Sequence, residues 1–294
     1  MAEKYIYIVN PKAGKLSIAK KKKIIASITP GSNPTIIFSK SLKDASLRAH
    51  EFFSQDYFVV ACGGDGFVNT IAQKAIECGG RMGVLPFGRG NDFARSLNLD
   101  KLEQAILAIK NGKFEKARYL RVETKEGKRI ALTNAGAGLL SEAAYRASRI
   151  PILKGSLLYV VAALLSFINL KCHNYTFTYS KKEISMDALI IAVAVSQYTG
   201  GGMFIAPEAH KFRDKLNLLY ASKLSRLKAV SLLIKVFSGT HILHESVTNK
   251  HVERISIKTN SSNKWSSIVS GDGEYLGSLP AKISLGKDPL YVAR

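Results

Sequence analysis

The chain has 294 residues, 46% hydrophobic and 22% charged, which excludes a disordered protein and allows a sizeable core. Lysine and arginine number 43 against 22 aspartates and glutamates, a formal net charge of +21, so anionic partners are favoured: nucleotides, nucleic acid or an acidic membrane surface. No zinc-finger spacing and no aromatic-rich RNA-binding pattern occurs, which argues against nucleic acid.

Part of the charge, as in Lys20-Lys21-Lys22-Lys23, reads as a solvated surface at the start of a helix. Three cysteines, Cys62, Cys78 and Cys172, form no CxxC pair and point to a reduced, cytoplasmic compartment. The first residues pass straight into a strand and offer no signal peptide. The longest apolar run, 156–170, is shorter than the ~20 residues a bilayer crossing needs. Membrane contact is therefore expected to be peripheral, at the inner face.

In chain order, residues 5–9 predict a strand, 17–28 a helix, 35–38 a strand, 44–53 a helix and 57–61 a strand. A glycine-rich loop then leads to a helix over 69–76 and a strand over 82–85. Such alternation implies a parallel sheet with helices on both faces. Beyond residue 118 strands dominate: 119–123, 129–133, 175–179, 188–195, 216–221, 252–259, 267–269 and 281–285. Helices are expected at 141–149, 156–170 and 224–237. This half fits a mostly antiparallel sandwich, and the chain reads as two domains.

The segment Cys62-Gly63-Gly64-Asp65-Gly66-Phe67-Val68-Asn69 carries the first chemical signal. Glycines let a ligand approach the backbone, and a following helix N-terminus offers free N–H groups and a positive dipole end to an anion. An ordinary turn between strand and helix is the other reading. A second loop, Pro86-Phe87-Gly88-Arg89-Gly90-Asn91-Asp92-Phe93-Ala94-Arg95, repeats the pattern, with Asn91 able to cap the next helix. Loops after neighbouring parallel strands meet at the carboxyl edge, where ligands bind. No GxxxxGK[ST] occurs, so this is not a P-loop, and a dinucleotide fingerprint with its acidic residue is missing.

These two loops together resemble the catalytic domain of the diacylglycerol kinase family, which includes bacterial lipid kinases, sphingosine kinases and ceramide kinase. Further matches follow in order: Asn10-Pro11-Lys12-Ala13-Gly14, Gly136-Ala137-Gly138, Gly202-Met203-Phe204-Ile205-Ala206-Pro207 and Gly271-Asp272-Gly273-Glu274. The Gly-Gly-Asp-Gly segment alone is shared with NAD kinases; the second glycine turn with the late Asp-Gly-Glu is more specific. The resemblance implies an α/β N-terminal domain with a parallel sheet, of the NAD-kinase and diacylglycerol-kinase type, over 1–118, completed by about 287–294. It implies a C-terminal, mostly antiparallel β-sandwich over 119–286 that forms the lipid-substrate domain.

ATP and Mg2+ are the cofactors so implied, and a membrane lipid, diacylglycerol or a related glycerolipid, is the acceptor. Peripheral attachment to anionic membrane, no nucleic acid, and a homodimer as an option complete the expected partners. Gly63, Gly64, Asp65, Gly66, Phe67 and Asn69 are expected to hold the nucleotide, with Gly88, Arg89, Gly90 and Asn91 from the second loop and Asn10 and Ser39 at neighbouring strand ends. Ser39 has an alternative as a turn residue. Asp272 is the expected general base, assisted by Glu274, with Asp65 as its rival, otherwise placed near magnesium. An Asp-Gly hairpin turn is the plainer reading of Asp272. Asp214, with the carbonyls of Lys211 and Leu216, matches a structural magnesium site; a solvated surface aspartate is the alternative.

The sequence departs from the family pattern. Phe67 stands where Thr is usual, Thr70 where Glu is usual, Arg89 where Thr or Ser is usual, and Lys215 follows Asp214 in place of Gly. Arg89 could pair with a phosphate. These changes keep two alternatives open: an NAD-kinase-like enzyme, and a nucleotide- or lipid-binding protein with reduced activity. The segment 224–237 reads as a basic amphipathic helix, resting on an anionic membrane or packed on the sandwich with its charges outward.

Overall fold

The computed structural model describes residues 4–28, 34–148, 161, 171–261 and 263–294. The chain divides into two compact units, Met1–Ala117 with Lys287–Arg294, and Arg118–Gly286.

In the first unit, strands β1 (Tyr5–Val9), β2 (Thr35–Phe38), β3 (Phe58–Gly63) and β4 (Arg81–Pro86) are mutually parallel. β5 (Phe114–Ala117) and the C-terminal β17 (Leu290–Ala293) complete a sheet of order β2-β1-β3-β4-β17-β5. β17 runs parallel to β4 and antiparallel to β5. β3 is buried along its whole length, as expected of a strand covered on both faces. The crossovers are α1 (Ile18–Ala26), α2 (Leu42–Phe53) and α3 (Asp65–Cys78), followed by α4 (Asp92–Ser96) and α5 (Leu102–Asn111). Ser17 and Ser41 cap α1 and α2 by accepting from the N–H groups of Lys20 and Asp44. α3 begins four residues before the expected start at 69, directly after Gly64.

The second unit carries β6 (Leu120–Thr124), β7 (Gly127–Ala131), β8 (Asn134–Gly138), α6 (Leu139–Ser148), β9 (His173–Tyr179), β10 (Lys182–Ala194) and β11 (Leu216–Ser222). Then come α7 (Arg226–Ser238), β12 (Val247–Val252), β13 (Arg254–Thr259), α8 (Lys264–Ser267), β14 (Ile268–Gly271), β15 (Glu274–Ser278) and β16 (Ala281–Leu285). They form an antiparallel sheet of order β15-β14-β8-β10-β9-β13-β16-β6-β7, with β11 paired to β10 and β12 to β11. Tyr175, Phe177, Ile191, Val193, Leu218, Ile257 and Ile283 lie in its core. The architecture is thus an α/β unit with a parallel sheet and an antiparallel β-sandwich unit, as the sequence predicts.

Local differences have physical causes. The strand expected over 252–259 is two strands that break at Glu253 and take different neighbours. β8, Asn-Ala-Gly-Ala-Gly, carries no β-branched residue, yet pairs with β10 and β14 and is buried throughout. The helix expected over 156–170 lies outside the described residues. Among the described residues, no helix is long and apolar enough to cross a membrane.

Candidate functional site

At the carboxyl edge of the first sheet, three loops pack backbone to backbone. The Asn10 N–H donates to the Cys62 carbonyl at 3.0 Å, and the Gly88 N–H donates to the Gly63 carbonyl at 3.1 Å. A Cβ on Gly88 would stand 2.3 Å from the Gly64 Cα, and one on Gly14 would stand 2.0 Å from the Phe87 carbonyl oxygen. Side chains are therefore excluded where the loops after β1, β3 and β4 touch.

Gly64 caps α3 without a side-chain bond, which leaves the first-turn N–H groups without partners inside the helix. Asp65 opens that helix, and its Oδ1 accepts from the Phe93 N–H at 3.2 Å, tying the first glycine loop to the second. The arrangement can take a phosphate on the backbone of Gly63–Gly66, at the positive end of α3.

Several predicted residues sit differently from expectation. The Phe67 ring is buried and packs against Gly63, so only its backbone can face a ligand. Asn91 has φ 53° and makes no side-chain cap; its Nδ2 donates back to the Pro86 and Gly88 carbonyls and closes the turn. Arg89 is exposed at that turn. Asn69 Oδ1 accepts from Gln73 Nε2 at 2.9 Å. Ser39 is buried, and its hydroxyl donates to the Val9 carbonyl at 3.3 Å. Asn10 Oδ1 accepts from the Lys12 N–H at 3.0 Å and shapes the loop from within.

Lys21 overturns its reading as solvated charge. It is fully buried, and its Nζ donates to the carbonyls of Asn10 at 3.1 Å and Pro11 at 2.9 Å. The ammonium also lies 5.9 Å from the centre of the Phe87 ring. Burial lowers its proton affinity, with the buried Cys62 thiol nearby. The detectable signal was position: Lys21 stands one helical turn before Ile25, on the buried face of α1.

In the second unit, Asp272 and Gly273 form the two-residue turn between β14 and β15, with φ 52° and 82°. The Asp272 carboxylate accepts from Leu132 N at 2.6 Å, Thr133 N at 2.9 Å, Thr133 Oγ1 at 2.5 Å and Asn134 N at 3.4 Å. The turn residue thus clamps the start of β8. Glu274, at the start of β15, is raised above the usual carboxylate range by partial desolvation and then by the Asp272 charge. Thr133 and Asn134, the clamp's other half, were not singled out in the sequence.

An apolar cavity of about 130 Å³ lies beside this hairpin. Leu139, Leu140, Leu189, Leu219, Leu232 and Val236 line it, and it reaches Gly271 and Gly273 on either side of Asp272. Asn134, Thr199, Ser270 and the buried His241 are polar members of its lining.

Lys211 and Asp214 are exposed, whereas Leu216 is buried at the start of β11. Arg118 Nη1 donates to the Ala209 carbonyl at 2.7 Å, and Nη2 donates to the Lys215 carbonyl. Among the described residues, no group of three or more His, Cys, Asp or Glu side chains is placed to hold a metal. Asp214 is a single exposed carboxylate beside the Arg118 guanidinium, so a divalent cation there would meet a cationic neighbour. Asp65 at the phosphate loop does fit one that is carried mainly by nucleotide phosphates.

Two family models cover most of the chain. Residues 4–122 match the diacylglycerol kinase catalytic domain, and residues 133–293 match the YegS C-terminal NAD kinase beta sandwich-like domain. A diacylglycerol kinase of Mycobacterium tuberculosis is 27% identical over 240 residues, 80% of this chain and 76% of the relative. One from Bacillus subtilis is 25% identical over 245 residues, 82% and 76% of the two chains.

Among solved structures, a diacylglycerol kinase from Bacillus anthracis superposes with a TM-score of 0.72 at 18% identity, covering 99% of this chain and 96% of that one. An NAD kinase from Archaeoglobus fulgidus in complex with ATP gives 0.51 at 14% identity, covering 99% and 93%. At these identities the structural likeness establishes the fold. With both family models matched in order along one chain, this protein belongs to the diacylglycerol kinase family of kinases.

Proposed function

We propose that the protein transfers the γ-phosphoryl group of ATP to a hydroxyl of a membrane lipid of the diacylglycerol class. The carrying observation is the apolar cavity that ends at the Asp272 hairpin. A mostly apolar lining with a few polar groups suits a ligand with hydrocarbon chains and a hydroxyl head. A dinucleotide acceptor, polar along its length, suits it poorly.

In this reading the backbone around Gly63–Gly66 and the first turn of α3 hold the phosphates, with Asp65 near the magnesium they carry. Magnesium, when bound, neutralises charge on the phosphates. Lys21 fixes the loop from Asn10 to Gly14 from beneath. Asp272 is oriented by its clamp and takes the acceptor proton, assisted by Glu274. Phe67 fills core space beneath Gly63 and offers the phosphates its backbone alone, so the binding-protein alternative stays an outcome of the test.

The bilayer is the proposed source of the lipid. α7 buries Ala229, Leu232 and Val236 toward the cavity. It leaves Leu227 84% and Ile234 69% exposed, among Arg226, Lys228 and Lys235. Apolar residues interspersed with cations suit an anionic membrane surface. The test is incubation with γ-labelled ATP and vesicles holding a panel of hydroxyl lipids. Label in diacylglycerol is the expected result; label in NAD, or in no acceptor while ATP binds, contradicts the proposal.

A further inference from the structure

The loop over 208–216 leads out of the cavity wall. Ile205 lines the cavity and packs against a small cluster of Ala194, Ala206 and Ala209. Order in this loop therefore sets the position of the wall. The family resemblance places a magnesium ion here, but the loop is held by the chain's own groups.

Arg118 spans it, with one nitrogen on the Ala209 carbonyl and another on the Lys215 carbonyl. Glu208 is already engaged, its carboxylate accepting from Lys211 Nζ and from Asn249 Nδ2 at 2.8 Å. The Glu208 carbonyl accepts from His251 Nε2 at 3.1 Å. Phe212 packs on the His251 ring with centroids 4.6 Å apart, and Lys215 Nζ lies 5.4 Å from the centre of the Phe212 ring.

The charge balance is equally clear. Asp214 interacts electrostatically with the Arg118 guanidinium, and Arg213 opposes it. Lys211, Arg213, Lys215 and Arg118 all bring positive charge to a stretch whose other carboxylate, Glu208, is taken. A divalent cation would enter a region already rich in cations, with one exposed carboxylate to receive it.

We infer that Arg118 replaces the structural cation: its guanidinium gathers the loop carbonyls beside Asp214, so the loop and the cavity wall are ordered without magnesium. A planar guanidinium offers several donors in a fixed fork and keeps its charge when partly buried, which lets one side chain serve two carbonyls. This inference concerns the loop alone and stands apart from the lipid-kinase reading.

The test is hydrogen exchange on nucleotide-free protein, in EDTA and in excess magnesium chloride. Wild type is expected to exchange equally in both across 208–216. Arg118→Ala is expected to raise exchange there by about tenfold or more, and Arg118→Lys by less, since an ammonium lacks the fork. If Arg118→Ala does not fold, Arg118→Lys and the wild-type comparison in EDTA and magnesium decide, with Asp214→Asn as the control. It retains the arginine clamp, so exchange should remain the same with and without magnesium. Magnesium-dependent protection of 208–216 in wild type, lost in Asp214→Asn, overturns the inference. So does unchanged exchange in a folded Arg118→Ala.

Discussion

Asp65 and Asp272 each stand between glycines, and the fold treats them in opposite ways. Asp65 opens a helix at the carboxyl edge of a parallel sheet, where its Oδ1 links two loops through the Phe93 N–H. Asp272 sits in a hairpin turn at positive φ, and its carboxylate accepts from three backbone N–H groups and a hydroxyl. A carboxylate has about four lone-pair sites, so these donors fill most of its capacity. The same tripeptide thus yields a carboxylate that ties two glycine loops together and one that clamps a neighbouring strand.

That difference changes how a substitution must be interpreted. Asn in place of Asp272 keeps the turn, since Asn tolerates positive φ, but turns an amide NH2 toward N–H donors. Loss of turnover in Asp272→Asn is therefore evidence for a base only when stability is measured beside it.

The largest expected effect tests the first region. Gly88→Ala should reduce ATP affinity by at least ~10-fold, because its Cβ would strike the backbone of the first glycine loop. Gly64→Ala, whose Cβ would lie 3.2 Å from the Gly88 Cα, should cost less. Titration calorimetry of both variants checks the order, and the reverse order breaks the loop-to-loop account.

Next comes the clamp. Asp272→Asn should destabilise the second unit by about 1–3 kcal/mol, measured by denaturant unfolding, while Asp65→Asn changes stability by less. Equal losses would remove the distinction between the two aspartates.

A smaller effect is expected at Lys21. Lys21→Met loses two hydrogen bonds to the loop over 10–14 but also a buried charge, so nucleotide affinity should fall several-fold with stability changed by about 1 kcal/mol. Unchanged affinity would reduce Lys21 to a packing residue.

The smallest effect concerns the same hairpin. The Ser278 backbone N–H, 3.0 Å from Glu126, and then the Ser278 side chain pull the Glu126 carboxyl down to about 2 from 4.5. A depressed carboxylate contributes stability above its unfolded value and loses it as pH falls through the folded one. Wild type should therefore exceed Glu126→Gln in stability above pH 4.5, and the difference should vanish toward pH 2. A difference that grew on acidification would contradict the assignment.

Much of this was legible in the sequence because it rests on local rules. Glycine loops between strand and helix, and the alternation of strands and helices, announced the first unit. The residues that escaped are those whose role depends on distant partners. Lys21 looks like its neighbours in a lysine run until the helix turns it under the loop. β8 lacks every strand-forming side chain and is a strand only because β10 and β14 flank it. Phe67 reads as a lost hydroxyl, although its ring fills space beneath Gly63. Arg118 meets its carbonyls across more than 90 residues of chain, a separation no local pattern encodes.

The central claim, that the cavity beside Asp272 receives the lipid, is tested most directly by narrowing it. Ala229 is buried on α7 and lines the cavity, so Ala229→Leu should occupy part of its volume. The measurement is labelled phosphate transfer from ATP to diacylglycerol in vesicles, with KM determined separately for lipid and for ATP. The account predicts a raised KM for the lipid, about tenfold, with the KM for ATP unchanged. An unchanged KM for lipid in a folded variant, or an equal rise for ATP, would contradict it.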